Sequence, residues 1–387
     1  MPVLNSLAAL LPEMTDWRRD FHRHPELGFD VHRTAAIVAA KLRDFGCDEV
    51  VEGIGRTGVV GVIRGTAPGR TIGLRSDMDA LPILEATGAA HASSIPGRMH
   101  ACGHDGHMAM LLGAAKHLAE TRNFAGAVAV IFQPAEEDGG GGEKMVEDGM
   151  MERFSIEEVY GMHNMPSLPV GAFAIRPGPA LASCDEFTVW IEGKGGHAAK
   201  PHMNIDPLVA ACRFVRAAQS VVSRNMDPVE MIVVTICSLT TEGTTAHNVI
   251  PQLCRMNGTV RCYTKEARAL ARERIDALAA GIAASAGGSA RVDWVPGYPA
   301  TVNEPRCTDF AADVAEEVAG ACRRDLPPSL GSEDFSYMLE ARPGAMICVG
   351  NGDSAECHHP AFDFADETMP AGASFWVRLA ERALPLT

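Results

Sequence analysis

Residues 99–115 read MHACGHDGHMAMLLGAA, and the rest of the chain is organised around this stretch. It places a thiol, two imidazoles and a carboxylate within six positions, at Cys102, His104, Asp105 and His107. Borderline-soft divalent ions accept thiolate and imidazole ligands. The apolar residues that follow recur at the spacing of a buried helix face: Met108, Leu111, Leu112, Ala115 and Leu118. The stretch predicts a metal site where a loop enters a helix, and a polar turn with one buried cysteine is the alternative.

The composition restricts the class of protein. A chain of 387 residues has room for two domains, and 47 % hydrophobic residues with 38 glycines fit a well-buried α/β enzyme. The formal net charge of −15 argues against nucleic acid or an anionic membrane as a partner, because both need clustered Lys and Arg. The eleven cysteines form no paired framework, and neither a signal peptide nor an apolar run of about 18 residues is visible. We therefore expect a cytoplasmic protein that does not enter a membrane.

A second candidate segment places acidic residues after a buried strand. Residues 126–133, GAVAVIFQ, are nearly all apolar and predict a strand buried on both sheet faces. The strand leads into three consecutive acids, Glu136, Glu137 and Asp138, which repel one another unless a cation or water offsets the charge. A bound cation is one explanation, and the acidic start of a solvated helix is the other.

The next predicted strand, at residues 158–162, ends at His163. We expect it to lie directly beside the strand at 126–133. Two adjacent parallel strands would then deliver Glu136, Glu137 and His163 to one edge of the sheet, where α/β folds place their chemistry.

Other polar residues follow strands or end helices. The predicted strand TIGLRS leads into Asp77, and the strand at 344–350 precedes His358. His22 and His24 stand beside a proline, and we interpret them as a polar helix end rather than as ligands.

The segment 184–295 predicts a separate unit, because its elements follow the order β-α-β-β-α-β of ferredoxin-like domains. We therefore predict an α/β protein whose catalytic, mostly parallel-sheet domain comprises residues 1–183 and 296–387. The ferredoxin-like α+β domain is inserted into it. The inserted segment carries His197 on the glycine-rich loop GKGGHAAKPH, and Asn248 in AHNVIP.

Taken together, the motifs resemble the M20 metallopeptidase family, and in particular its amidohydrolase branch of hippurate hydrolases, aminoacylases and plant auxin-conjugate hydrolases. The matching stretches, in the family's order, are RRDFHRHPELGF, RSDMDALP, MHACGHDGH, FQPAEE, GMHNMP, GKGGHAAKPH, NVIP, GTVR, GSEDFS and HHPAFDF. The resemblance implies an α/β catalytic domain with a two-metal site and an inserted lid domain that mediates dimerisation.

The resemblance also implies a role for each matching residue. The metal ligands would be Cys102, His104, Glu137, His163 and His358. Glu136 would be the general base that takes a proton from the attacking water. His197 and Asn248 of the lid would contact the scissile carbonyl, and Arg261 of GTVR would bind the substrate's carboxylate.

The sequence departs from other branches of the family at one point. Where those branches use a His-x-Asp segment to bind the first metal, this chain has Arg75-Ser76-Asp77. The departure matches the amidohydrolase branch, in which the cysteine and histidine of MHACGH take over. It leaves Asp77 and Asp105 as groups that support the ligands.

The reaction that the resemblance implies is hydrolysis of the amide bond of N-acyl amino acids, hippurate-like or N-acetyl, to a carboxylate and a free amino acid. The implied cofactors are two divalent metal ions, Mn or Zn first, with Co or Ni as alternatives. The implied assembly is a homodimer formed through the inserted domain. A dinuclear metallo-dipeptidase or carboxypeptidase is the alternative within the same class.

Two other classes of function account for less of the sequence. A cysteine hydrolase would use Cys102 as its nucleophile with His104 or His107 as the base, but it leaves the glutamate pair, His163 and His358 without a role. A non-catalytic metal-binding or scaffold protein predicts loss of the base or of a ligand, whereas all of them are present.

Overall fold

The computed structural model describes residues 3–386, which form two compact units. The first unit comprises residues 3–180, 302–327 and 333–386, and the second comprises residues 181–301 and 328–332. No helix in the described part of the chain is long and apolar enough to cross a membrane. The role of segment 184–295 as a lid and dimerisation domain stays a prediction.

The strands, numbered in chain order, are β1 (Glu49–Ile54), β2 (Gly58–Arg64), β3 (Ala67–Asp77), β4 (Ala125–Gln133), β5 (Ile156–Met165), β6 (Phe173–Ala174), β7 (Gly178–Leu181), β8 (Ser183–Glu192), β9 (Gly196–His197), β10 (Ile232–Glu242), β11 (Val249–Ile250), β12 (Leu253–Cys262), β13 (Ser289–Pro296), β14 (Thr301–Asn303), β15 (Cys322–Arg323) and β16 (Gly344–Gly350).

The α-helices are α1 (Asn5–Ala9), α2 (Leu11–Arg23), α3 (His32–Asp44), α4 (His104–Thr121), α5 (Gly141–Glu147), α6 (Met150–Arg153), α7 (Pro207–Ser220), α8 (Lys265–Ser285), α9 (Pro305–Ala319), α10 (Phe335–Ala341) and α11 (Met369–Ala383). Short 3₁₀ turns span Pro201–Met203 and Asp366–Thr368, and one π turn spans Val221–Asn225.

The first unit contains an eight-stranded sheet in the order β1-β2-β4-β3-β5-β16-β6-β15. Its centre, from β4 to β16, is parallel, and the carboxyl-terminal halves of these strands are largely buried, as expected for strands covered on both faces. The prediction that the strands leading to Glu136 and His163 are adjacent is wrong, because β3 lies between β4 and β5. His163 also lies within β5, which continues to Met165.

Helix α4 packs in the core of the first unit, as its apolar spacing predicts. Met108, Leu111, Leu112, Ala115 and Leu118 are all buried. The helix begins at His104 after Gly103, whose φ of +89° is a conformation that favours glycine. A side chain at this position would also collide with the Asn164 side chain. The glycine therefore lets the loop that carries Cys102 turn directly into the helix.

The second unit is the predicted ferredoxin-like fold. Its antiparallel sheet has the order β10-β12-β8-β13, with α7 and α8 packed against it around a separate hydrophobic core. Both helices have side-chain caps: Asp206 accepts the Leu208 N–H at 2.9 Å, and Thr264 accepts the Ala267 N–H at 3.2 Å. The α/β fold class, with a mostly parallel main sheet and an inserted α+β unit, is confirmed.

Candidate metal centre

The Glu136–Glu137 pair lies in the turn after β4, at the carboxyl end of the parallel strands. One buried carboxylate holds its backbone. Asp79 Oδ1 accepts the Glu136 N–H at 2.9 Å, and Asp79 Oδ2 accepts the Glu137 N–H at 3.1 Å. Asp79 stands two residues after the end of β3. The sheet therefore fixes the position of the backbone that carries the two glutamates.

His104 opens α4 and is fully buried. Its Nδ1 donates to the backbone oxygen of Asp79 at 2.8 Å, which turns Nε2 toward the carboxylates. Nε2 lies 3.8 Å from Glu137 Oε1, 3.7 Å from Asp77 Oδ2 and 4.0 Å from Glu136 Oε2. Within residues 3–386, neither His104 Nε2 nor Glu137 Oε1 has a hydrogen-bond partner, although both atoms are buried. A cation between them would satisfy both groups.

Three separate segments bring the remaining candidate ligands to the same place. Cys102 Sγ lies 3.4 Å from His163 Nε2, and His358 Nε2 lies 3.4 Å from Glu137 Oε2. His163 Nδ1 donates to the backbone oxygen of Asn164 at 2.7 Å, so Nε2 is the nitrogen turned to the cluster. His358 has a φ of +68°, and its N–H donates to the backbone oxygen of the residue before Cys102 at 2.8 Å.

The predicted ligands and the predicted base form three overlapping groups among the described residues, and within each group the potential ligand atoms lie within 4.8 Å of one another. The groups are Cys102, His104 and His163; Cys102, Glu137 and His358; and His104, Glu136 and Glu137. The structure thus brings together all five predicted ligands and the predicted base. Shared donors between neighbouring groups are what a pair of adjacent ions requires.

The two neighbouring glutamates differ in their proton affinity. Burial and nearby carboxylates, Glu333 foremost, raise the pKa of Glu136 well above its usual range. Burial also acts to raise the pKa of Glu137, but the hydrogen bond with His358 and the charge of His104 lower it overall. Burial acts to lower the pKa of His104, yet the surrounding carboxylates raise it to about 10. This strong carboxylate field fits the binding of divalent cations.

His107, which the sequence offered as a candidate base for Cys102, has both ring nitrogens engaged elsewhere. Its Nδ1 lies 2.7 Å from Asp77 Oδ1, and its Nε2 accepts the Asn164 N–H at 2.9 Å. The contact between Asp77 and His107 therefore helps to hold Asp77 beside His104. Sequence reasoning missed this role of His107, and the only available signal was its place three residues after His104 on one helix face.

His22 lies in the last turn of α2, as predicted, but it is buried. His22 is 1 % exposed, and its Nδ1 lies 2.8 Å from Asp105 Oδ2, while Arg18 Nη1 donates to the same oxygen at 3.3 Å. Burial acts to lower the pKa of His22, but the charge of Asp105 and the hydrogen bond with it raise the pKa to about 9. These contacts join α2 to the first turn of α4, so Asp105 supports the helix that carries His104. His24 is partly exposed at the helix end.

The second unit brings two of its three candidate residues together. Val249, beside Asn248, pairs with His197 between β9 and β11, and the Ala198 N–H donates to the backbone oxygen of Asn248 at 3.0 Å. His197 is exposed. Arg261 lies on β12, where its Nη1 is 3.5 Å from the Ser332 hydroxyl. The structure provides the local environment of these residues, and their roles toward a substrate stay predictions.

Known proteins of one family are similar to this chain over nearly its whole length. The family model for peptidase family M20/M25/M40 matches residues 73–382. A hippurate hydrolase from Campylobacter jejuni is 39 % identical over 97 % of this chain and 99 % of its own length. An N-acetylcysteine deacetylase from Bacillus subtilis is 39 % identical over 95 % of this chain and 96 % of its own length.

A solved structure agrees with the sequence relatives. A dinuclear metal-binding peptidase of the M20 family from Bacillus subtilis superposes with a TM-score of 0.86 at 35 % identity, over 97 % of this chain and 99 % of that one. The fold is that of an α/β enzyme, with a cluster of thiol, imidazole and carboxylate groups at the carboxyl ends of its parallel strands. The chain belongs to peptidase family M20/M25/M40 and is an amidohydrolase. The predicted resemblance is confirmed.

Proposed function

We propose that this chain hydrolyses the amide bond of N-acyl amino acids to a carboxylate and a free amino acid. The observation that carries the proposal is the joining of four separated segments into one cluster in which a buried glutamate, Glu136, stands beside five candidate metal ligands. Relatives that act on hippurate and on N-acetylcysteine, each matched over nearly its whole length, support this substrate class.

The residues present fit two divalent ions. Cys102, His104, Glu137, His163 and His358 would hold them. His104 Nε2 and Glu137 Oε1, buried and without a hydrogen-bond partner among residues 3–386, lie 3.8 Å apart in the same cluster. Such ions supply Lewis acidity that polarises an amide carbonyl and lowers the pKa of water. Thiol and imidazole donors suit Zn and carboxylate donors suit Mn, with Co or Ni as alternatives.

Glu136 is the general base in this proposal. Its backbone is fixed by Asp79, and its carboxylate lies among the candidate ligands while Glu137 interacts with His358. Glu136 takes a proton from the attacking water and returns it to the nitrogen of the leaving amino acid. This division of labour between adjacent glutamates requires that only one of them be committed to metal.

The second unit would supply contacts to the substrate. We assign His197 and Asn248 to the scissile carbonyl, where a donor stabilises the developing oxyanion. We assign Arg261 to the carboxylate of the substrate, because a guanidinium binds a carboxylate bidentately. We further propose a cytoplasmic homodimer formed through this unit, acting on small molecules, with neither nucleic acid nor membrane as a partner.

A substrate panel tests the proposed function. Hippurate, several N-acetyl amino acids, hippuryl amide and a set of dipeptides are assayed with added Mn, Zn or Co, and the release of free amino acid is measured. We expect turnover of the N-acyl amino acids and a marked loss of catalytic efficiency for hippuryl amide, since Arg261 has no carboxylate to bind. Preference for dipeptides would establish the dipeptidase alternative. Equal rates for hippurate and its amide would show that Arg261 does not bind the carboxylate of the substrate.

A further inference from the structure

A buried arginine lies beside the cluster of candidate ligands, and each of its three nitrogens has an acceptor. Arg75 on β3 is 1 % exposed. Its Nε donates to Gln133 Oε1 at 2.8 Å and its Nη1 to Asp77 Oδ2 at 2.9 Å. Its Nη2 lies 2.9 Å from Glu333 Oε1 and 3.1 Å from Asp334 Oδ1. Arg75 thus connects the Asp77 side of the site, which supports His104, with two acids just before α10.

The two acids are themselves held in place. Glu333 Oε1 also accepts the Phe335 N–H at 2.9 Å. Asp334 accepts from Gln133 Nε2 at 2.7 Å and from the Gly142 N–H at 2.8 Å. These hydrogen bonds hold both carboxylates in place just before α10. The two carboxylates are therefore the groups that the Nη2 end of the guanidinium binds.

The two acids that this end of Arg75 binds lie beside the proposed base. Carboxylate oxygens of Glu136, Glu333 and Asp334 lie within 4.8 Å of one another, and all three residues are buried. If the Glu333 carboxylate were removed, a donor of Arg75 would become available close to Glu136. A guanidinium binds a carboxylate strongly and bidentately, and it occupies the lone pairs that a general base needs.

We propose that Glu333 is a positioning residue for Glu136: by binding the Nη2 end of Arg75, it keeps the guanidinium from binding the carboxylate of the base. The inference rests on the proposed function, because it assumes that Glu136 is the base. Glu333 does not touch the substrate in this account and acts through Arg75. Its effect is therefore on turnover, and neither substrate affinity nor metal content depends on it.

The test compares Glu333→Ala with Glu333→Gln. Alanine cannot reach Arg75, so we expect kcat to fall at least about tenfold, within the roughly 10²- to 10⁴-fold that a general base contributes. KM and the number of bound metal ions should stay close to those of the wild type, whereas the melting temperature should fall because alanine leaves part of a buried guanidinium unpaired. Glutamine keeps an acceptor oxygen for Arg75, so Glu333→Gln should recover most of the lost kcat.

A double-mutant cycle separates positioning from a general structural role. The Glu136→Gln variant has no general base for Arg75 to bind, so adding Glu333→Ala to it should not lower kcat further. An equal loss in both backgrounds, or wild-type kcat in Glu333→Ala, would overturn the inference. Retention of full kcat by Glu136→Gln alone would instead refute the proposed base, so the two failures are distinguishable.

Glu158→Gln is the matched control. Glu158 is also buried and also paired with arginines, at 2.8 Å to Arg70 and 2.6 Å to Arg306. It lies five residues before His163 on β5, about 17 Å along the strand. The kcat of Glu158→Gln should match that of the wild type.

If Glu333→Ala does not fold, Glu333→Thr replaces it, because threonine is equally unable to reach Arg75. Failure of both variants to fold would overturn the inference in favour of a purely structural role.

Discussion

Glu136 and Glu137 are adjacent in the sequence, yet their side chains lie in different environments. Both backbone N–H groups bind the same carboxylate of Asp79, so the difference lies in the side chains. Glu137 interacts with His358 and His104, which favour its ionised form. Glu136 is surrounded by burial and negative charge, which favour its protonated form. These environments support the roles that we propose, Glu137 as a metal ligand and Glu136 as the base.

Glutamine substitutions should separate the two roles. Glu136→Gln keeps the size of the side chain but cannot accept a proton, so we expect turnover to fall by about 10²- to 10⁴-fold with metal content unchanged. Glu137→Gln should instead lower the number of bound metal ions. Metal analysis and steady-state kinetics on both variants check this. Interchangeable effects of the two substitutions would show that the base and the ligand are wrongly assigned.

At the same scale, the sequence indicates which residues join the cluster but not how they are held. Cys102 and His104 are visible as a pair because they stand together before an apolar helix. The pairings of His107 with Asp77 and of His22 with Asp105 join positions 30 and 83 residues apart. No local pattern encodes such pairings, so the sequence does not distinguish a buried histidine at a helix end from an exposed one.

At the scale of elements, the strands and helices near the site follow from local patterns, and the order of the strands does not. Nearly continuous apolar runs predict β4 and β16, and the 3.6-residue period predicts α4. The position of β3 between β4 and β5 depends on how crossover connections pack, which is a property of the assembled sheet. The carboxyl ends of parallel strands lie at the same edge of the sheet in any strand order. The predicted residues therefore still lie together, although the predicted adjacency of the strands is wrong.

Glu158 joins three elements and gives a prediction about stability. It lies on β5 and pairs with Arg70 on β3 and Arg306 on α9. Burial acts to raise its pKa, but the hydrogen bonds and charges of the two arginines lower it overall. We expect Glu158→Gln to reduce the free energy of unfolding at pH 7 by about 1–3 kcal/mol, since both arginines are partly exposed and retain some hydration.

The sign of the pH dependence follows from the lowered pKa. The ionised form of Glu158 stabilises the fold at pH values above the unfolded pKa of about 4.5, and this contribution is lost as the pH falls through the lower folded pKa. Urea unfolding at pH 7 and near pH 4 should therefore show a difference between wild type and Glu158→Gln that shrinks on acidification. Glu147→Gln, at an exposed position, is the control. A difference that is independent of pH would contradict an ionic contribution.

At the scale of the whole molecule, the sequence indicates two kinds of unit because the order of elements changes. The β-α-β-β-α-β order predicts the four-stranded sheet of the second unit, and Asp206 and Thr264 mark its helix starts as recognisable caps. Its edge strands β10 and β13 have one neighbour each within the described chain. Exposed edges of this kind are commonly covered by pairing or packing, which a twofold interface provides.

We predict a homodimer in which His197 acts in the partner's active site. Glu136→Gln and His197→Ala should each be nearly inactive as homodimers. Co-expressed with different tags, they should form hybrid dimers in which one site has both an intact base and an intact His197. With random pairing, about a quarter of the wild-type activity should return. Isolated hybrids without activity would show that His197 serves its own subunit or is only a loop residue.

The dependence of turnover on metal tests the central claim most directly. The protein is dialysed extensively against a chelator, its metal content is measured, and hydrolysis of the best N-acyl amino acid from the panel is followed while Mn or Zn is added back. We predict that activity disappears with the metal and returns as up to two ions per chain bind, because the ligand set and the base serve the same cleavage. Full turnover in protein shown to be free of metal would contradict the account.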